Sequence, residues 1–259
     1  MELQNFLYEK EAGIRIVTLN RPKAMNSING ELIAELSQIL DDIAADQAAR
    51  VVILTGGEKV FAAGGDVAFM SKASPLEVET FASSVMHTFL KMEKLDKPII
   101  AAISGLALGG GCEMTLACDI RIAAEGAVFG MPEINLGIIP GAGGTQRLTR
   151  LVGPGWVKYL VMTGQTIDTE TAFKIGLVNQ VVPKENLMDE AKKLASKLAA
   201  KSPVALKAAK TCINYGMNVD LASGLAYEVK NMAFLFSTED QKEGMKAFLE
   251  KRKPQFIGK

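Results

Sequence analysis

Two glutamates stand close to glycine-rich turns in this chain, in different surroundings. Glu113 stands one residue beyond a Gly-Gly-Gly run in GLALGGGCE (105–113), and Glu133, twenty positions on, lies in FGMPEINLG (129–137). A carboxyl among Phe129, Met131, Pro132, Ile134 and Leu136 is poorly hydrated; this raises its pKa and makes it a usable acid near neutral pH. Glycines that open a helix leave unpaired backbone N–H groups with no side chain over them, and the helix dipole adds positive potential there. Such a turn can hold an oxygen that becomes negative during reaction. Each donor of this kind stabilises a transition state by roughly 2.7–4 kcal/mol. A second donor is available from FAAGGD (61–66), and a third glycine cluster follows in PGAGGTQR (140–147). Each feature alone also has an ordinary structural use. Glycine permits tight strand-to-helix turns, a first-turn Glu113 favours the helix dipole, and Asp66 suits a helix cap. Together they suggest an acid–base pair beside an oxyanion hole.

Other chemistries find little support. GLALGGG is not a dinucleotide fingerprint, and no lysine follows the glycines of 141–144 as a P-loop requires. The motifs G-x-S-x-G, S-x-x-K and H-E-x-x-H are absent, and His87 is the only histidine, so multi-histidine metal sites and histidine relays are poor expectations. Cys112, Cys118 and Cys212 form no zinc-type pairing and read as thiols of a reducing compartment. Lys plus Arg and Asp plus Glu both number 29, which leaves no general basic field to attract nucleic acid. The first residues, MELQNFLYEKEAG, lack the pattern of a signal peptide, and Pro98–Cys112 is too short and glycine-rich to span a bilayer. The expectation is a soluble, cytoplasmic protein with no membrane or nucleic-acid partner and no metal.

The elements that must position these residues are partly visible. Ile14–Leu19 and the apolar run Val51–Thr55 read as strands, as do Pro98–Ile103, Asp119–Ala123 and Val178–Val182. Leu32, Ile33, Leu36, Ile39, Leu40 and Ile43 fall on one face of an amphipathic helix. Gly105–Gly111 reads as a turn feeding a short helix over CEMTLACD (112–119). Strands alternating with helices predict an α/β class with parallel pairing. From about Leu187 the chain turns Ala-, Leu-, Lys- and Glu-rich, and 187–201, 203–217, 220–236 and 238–252 read as successive helices. Their apolar faces suit contact with another subunit as well as with the chain's own core.

RPKAMNSI (21–28), FAAGGD (61–66), the stretch PIIAAISGLALGGGCEMTLACDIRIAAEGAVFGMPEINLGIIPGAGGTQRL (98–148) and FLEKRKPQF (248–256) closely resemble the crotonase, or enoyl-CoA hydratase, superfamily, in order along nearly the whole chain. The resemblance implies an α/β crotonase-like spiral of ββα units over 1–195 with a C-terminal helical trimerisation region over 196–259, commonly assembled as a dimer of trimers. It implies a short-chain enoyl-CoA hydratase, a hydro-lyase that adds water reversibly to a 2-enoyl-CoA. The backbone N–H groups of Gly65 and Gly110 would hold the thioester oxygen. Glu113 would activate the water, and Glu133 would protonate Cα. Coenzyme A is part of the substrate, and no separate cofactor is implied. Lys23, Ala24, Met25, Ala63, Gly64, Gly65, Asp66, Val67, Gly110, Pro132, Gly141, Phe248 and Lys251 form the implied substrate- and CoA-binding set. Two departures stand out: Gly65 replaces a common alanine, and Met131 replaces a common glutamine, making the setting of Glu133 more apolar. Alternatives are an enoyl-CoA isomerase, a dienoyl-CoA hydratase, or a non-catalytic CoA- or RNA-binding relative. Isomerisation needs one base more than a water-holding pair, so two glutamates favour hydration.

Overall fold

The computed structural model describes residues 3–259. The chain opens with a hairpin, β1 (Phe6–Glu11) antiparallel to β2 (Ile14–Leu19), turned at Ala12 and Gly13. Helix α1 (Gly30–Ala45) follows. Asn29 caps it by accepting from Leu32 N–H at 2.9 Å, and it buries the six apolar residues of its predicted face. Then a unit repeats: β3 (Val51–Thr55), β4 (Val60–Ala62), α2 (Val67–Met70) and α3 (Pro75–Lys94); β5 (Ile99–Ile103), β6 (Leu106–Leu108) and α4 (Gly110–Leu116); β7 (Ile120–Ala124) and β8 (Val128–Gly130). β3, β5 and β7 pair in parallel in one sheet, while β4, β6 and β8 pair in parallel in another. Each ββα turn therefore places one strand in each sheet, and the chain winds as a spiral. α5 (Gly144–Val152) and α6 (Pro154–Thr163) lead to β9 (Thr166–Asp168), which closes the second sheet antiparallel to β8; α7 (Thr169–Lys174) leads to β10 (Gln180–Val182), beside β7.

The alternation within strands explains two hydrophobic layers. Val52, Leu54, Ala101 and Ile103 face the core shared with α1, α3 and α4, whereas Val51, Ile53, Ile100 and Ala102 face Leu187, Ala191 and Ala195 of α8 (Leu187–Ala199). A sheet buried on both faces requires continuous apolar strands, and this made β3 and β5 readable. The boundary expected at 195/196 lies inside α8, whose Leu198 and Ala199 still pack on that layer. α9 (Pro203–Gly216) is pinned back by Lys210, whose Nζ reaches Asp119 Oδ2 at 2.8 Å and the Met92 carbonyl at 3.1 Å. α10 (Leu221–Leu235) leaves Leu221, Leu225, Val229 and Met232 exposed along one face in this single chain. α11 (Glu239–Leu249) is capped by Thr238, and its buried Asp240 accepts from the N–H of Ile257, so the C-terminal segment folds back on the helix.

The structure also departs from the sequence expectations. Gly105–Gly111 is not a plain turn, because it contains β6, and α4 begins at Gly110 rather than Cys112. Three-residue strands such as LAL and VFG have no period to read, so the second sheet was invisible. The last strand starts at Gln180 rather than Val178, because Asn179 turns its side-chain carbonyl to the N–H of Arg121 at 2.9 Å. His87 lies exposed on α3 with Nδ1 2.6 Å from the Ser83 carbonyl. Among the described residues no helix is long and apolar enough to cross a membrane.

Candidate active site

The site forms where the turns entering α2 and α4 meet. Ile28 makes a strand-like bridge to Gly65, with its N–H donating to the Gly64 carbonyl at 2.8 Å and its carbonyl accepting from Asp66 N–H at 2.9 Å. Bridging through 64 and 66 turns the amide of Gly65 to the opposite side. That side faces α4: a Cβ built on Gly110 would stand 3.7 Å from Gly65 N. Gly110 is the first residue of α4, where no intrahelical acceptor is available. Among the described residues neither the Gly65 nor the Gly110 N–H has a hydrogen-bond partner. Two free amide donors thus converge from two elements. An added Cβ at Gly65 would meet only the flexible end of Met70, at 3.1 Å, so the common alanine needs little adjustment here.

Glu113 lies in the first turn of α4 and is 2% exposed. Its Oε1 accepts from the N–H groups of Ala142 and Gly144 at 2.8 and 2.7 Å. Burial raises its pKa above the ordinary carboxylate range, against the opposing pull of those two N–H groups and of Arg147. Glu133 sits half-buried in the 3-10 turn Pro132–Leu136. Its buried Oε2 has no hydrogen-bond partner among the described residues. Burial first, then the charge of Glu113, push its pKa up to about 7. Two N–H groups on Glu113 Oε1 favour its ionised form, whereas Glu133 Oε2 has no donor, so the environments suit Glu113 to act as a base and Glu133 as an acid. Glu133 also closes on the entrance of α4: at Gly109, with φ +49°, a Cβ would stand 2.8 Å from Glu133 Oε1, so only glycine fits. One face of this space offers a base, another an acid, and the α4 entrance two amide donors. The buried Cys112 thiol, pushed up to about 12 by burial, stays neutral.

The structure brings together much of the expected binding set. The turn holding Lys23, Ala24 and Met25 joins the stretch Ala63, Gly64, Gly65, Asp66 and Val67 through the Ala63 N–H, which donates to the Met25 carbonyl at 3.1 Å. Asp66 caps α2 by accepting from Phe69 N–H at 3.3 Å and pairs with Arg21 at 3.5 Å; this is the structural use anticipated for it. Pro132 opens the turn of Glu133, and Gly141 lies exposed beside Ala82 of α3. Phe248 lies in α11 and Lys251 just beyond it. They are exposed at the end of α11, and among the described residues no hydrogen bond or ion pair ties that helix to the turns of Gly65 or Gly110. Sequence reading missed the backbone donors of Ala142 and Gly144. Their signal was present in the third glycine cluster, whose purpose is to fold around Glu113. It also missed the buried Asn26, whose Nδ2 donates to the carbonyls of Gly56 and Phe61 at 3.1 and 3.0 Å and anchors the 21–28 turn. Among the described residues no cluster of three or more His, Cys, Asp or Glu is placed to hold a metal.

Comparison with known proteins gives the family. The enoyl-CoA hydratase/isomerase family matches residues 9–259. A short-chain-enoyl-CoA hydratase of Clostridium acetobutylicum is 48% identical over 98% of this chain and 97% of its own. A crotonyl-CoA hydratase of Syntrophomonas wolfei is 46% identical over the full length of both. The crystal structure of an enoyl-CoA hydratase from Bacillus anthracis superposes with a TM-score of 0.96 at 43% identity, covering 99% of this chain and 100% of that one. This chain belongs to the enoyl-CoA hydratase/isomerase family.

Proposed function

We propose that the protein is an enoyl-CoA hydratase that adds water reversibly to short-chain 2-enoyl-CoA thioesters of the crotonyl-CoA kind. The observation that carries this reading is the pair of carboxyls with opposed environments, Glu113 gripped by two N–H groups and Glu133 with an orphan oxygen, beside two free amide donors. The Gly65 and Gly110 amides donate to the thioester oxygen. Glu113 takes a proton from water as its oxygen bonds to Cβ. The π electrons move onto the thioester oxygen, where the amides stabilise the developing charge. Glu133 then delivers its proton to Cα as the carbonyl reforms, and the proton left on Glu113 returns to the pair. No separate cofactor takes part; coenzyme A arrives with the substrate, along the turns at 23–25 and 63–67. We read 196–259, with its exposed apolar stripe on α10, as the region by which copies assemble as a trimer or dimer of trimers, and the cytoplasm as its compartment.

Loss of the enoyl-thioester absorbance of crotonyl-CoA on mixing with the protein tests the reading. Rapid hydration to 3-hydroxybutyryl-CoA is the expected result. Conversion of 3-enoyl-CoA with no hydration of 2-enoyl-CoA would instead assign an isomerase.

The pH dependence provides a second test. The competent enzyme carries one proton on the pair, so kcat/KM should rise through the Glu113 titration and fall above about pH 7 as Glu133 loses its proton. Hydration consumes no net proton, so the ratio of forward to reverse kcat/KM is fixed at all pH values. Both directions must therefore trace the same bell. An activity still rising at pH 9 would contradict the assigned acid.

A further inference from the structure

Arg147 is a charged side chain outside the reacting pair that nevertheless touches the loop gripping Glu113. It projects from α5, and its Nε donates to Glu93 Oε1 of α3 at 2.5 Å while Nη1 donates to the Ala142 carbonyl at 2.7 Å. That carbonyl lies in the chain between the two amides, Ala142 N–H and Gly144 N–H, that hold Glu113 Oε1. It belongs to the 142–143 peptide plane, which joins the two planes that carry those N–H groups, so holding it restrains both. The guanidinium also lies against Gly143: a Cβ built there would fall 1.9 Å from Nη1, and φ at Gly143 is +107°, so the loop is shaped to admit it. Arg147 is 15% and Glu93 30% exposed at the side chain, so the pair is only partly screened.

We propose that Arg147, clamped by Glu93, is a positioning residue for Glu113, holding the 142–144 loop so that its amides keep the Glu113 carboxylate aimed at the reacting water. This rests on the reading of Glu113 as the base of a hydratase. The chain of contacts runs from α3 through Glu93, Arg147 and the Ala142 carbonyl to Glu113. A fork-shaped guanidinium can hold a carboxylate and a carbonyl at once; a lysine ammonium supplies the charge without that geometry. The charged groups facing Glu113 among the described residues are Arg147 from α5 and Glu133 from the turn after β8, with Cys112 on its own helix neutral.

The test compares wild type with Arg147→Gln, Arg147→Lys and Glu93→Gln, using crotonyl-CoA kinetics. A second readout is the Glu113 titration midpoint, from carboxyl carbon-13 resonances assigned by their loss in Glu113→Gln. Arg147→Gln should lower kcat roughly 10- to 100-fold with KM within about threefold, since a misplacement of about 1 Å costs on the order of 100-fold. It should also raise the Glu113 midpoint, because a nearby cation and ordered N–H donors are lost. Arg147→Lys should keep the midpoint near wild type and recover part of the rate. Glu93→Gln should lower kcat, since Arg147 loses its clamp, and raise the midpoint less than Arg147→Gln does, since the cation remains. An Arg147→Gln protein with kcat close to wild type, or with lowered kcat and an unmoved midpoint, overturns the proposal; the second pattern is general loosening. If that variant fails to fold, an unaltered kcat in Glu93→Gln overturns it. An inactive wild type would sink the hydratase reading instead, and the midpoint comparison would still decide whether Arg147 governs Glu113.

Discussion

Glu133→Gln is expected to lower kcat for crotonyl-CoA hydration by about 10²- to 10⁴-fold, the usual contribution of a positioned general acid, or about 3–5 kcal/mol in the barrier. The amide fills the same volume but has no acidic proton to give Cα, so KM should stay within a few-fold of wild type. A turnover within tenfold of wild type would remove Glu133 from the chemistry. The same variant carries an opposite expectation for stability. Glu133 has a folded pKa of about 7 against an ordinary value of 4.5, so the folded state binds more protons than the unfolded state between those values. Stability conferred by the wild-type residue is therefore greatest below about pH 4.5, declines as pH rises through 7, and is flat beyond. Glutamine never ionises. Glu133→Gln should melt above wild type at pH 8, with the gap closing toward pH 4.5, as read by thermal unfolding at the two pH values. Loss of activity together with gain of stability marks a group retained for chemistry.

Gly111→Ala should unfold the protein at markedly lower temperature. A Cβ at this position would stand 2.2 Å from the Ala62 carbonyl oxygen and 2.7 Å from Ala62 Cβ, so α4 lies directly on β4 with no space between. The obstruction is backbone and cannot rotate away. Either α4 or β4 must shift, at a cost of about 3 kcal/mol, toward the upper end for overpacked cores. For a chain of this size that corresponds to roughly 6–12 °C in melting temperature. A shift of α4 also carries the Gly110 amide and Glu113 with it, so kcat should fall in the protein that remains folded. Melting and turnover both near wild type would show that the α4–β4 contact has slack that this structure does not contain.

Much of this arrangement was legible because it depends on side chains. Val51–Leu54 and Ile99–Ile103 are apolar at every position since both faces of their sheet are covered, and the six apolar residues of α1 mark one helical stripe. Glu133 was readable as a raised carboxyl from its apolar neighbours alone. What escaped depends on the backbone. β4, β6, β8 and β9 are three residues each, too short for alternation to register. β1, FLYEKE, is an edge strand with mixed burial, and its charged residues hid it. The amides of Ala142 and Gly144 have no side-chain signature, so PGAGGTQR was recognisable as a special turn but its target was not. The role of Arg147 needed coordinates, since Glu93 lies 54 positions earlier in the chain.

The most direct test of the central claim is a crystal structure of the protein with a non-reacting 3-oxoacyl-CoA bound. The thioester oxygen is expected within hydrogen-bonding distance of both the Gly65 and Gly110 nitrogens, with Cα on the Glu133 side and Cβ on the Glu113 side. A thioester bound elsewhere, or turned so that one glutamate faces neither carbon, would contradict it.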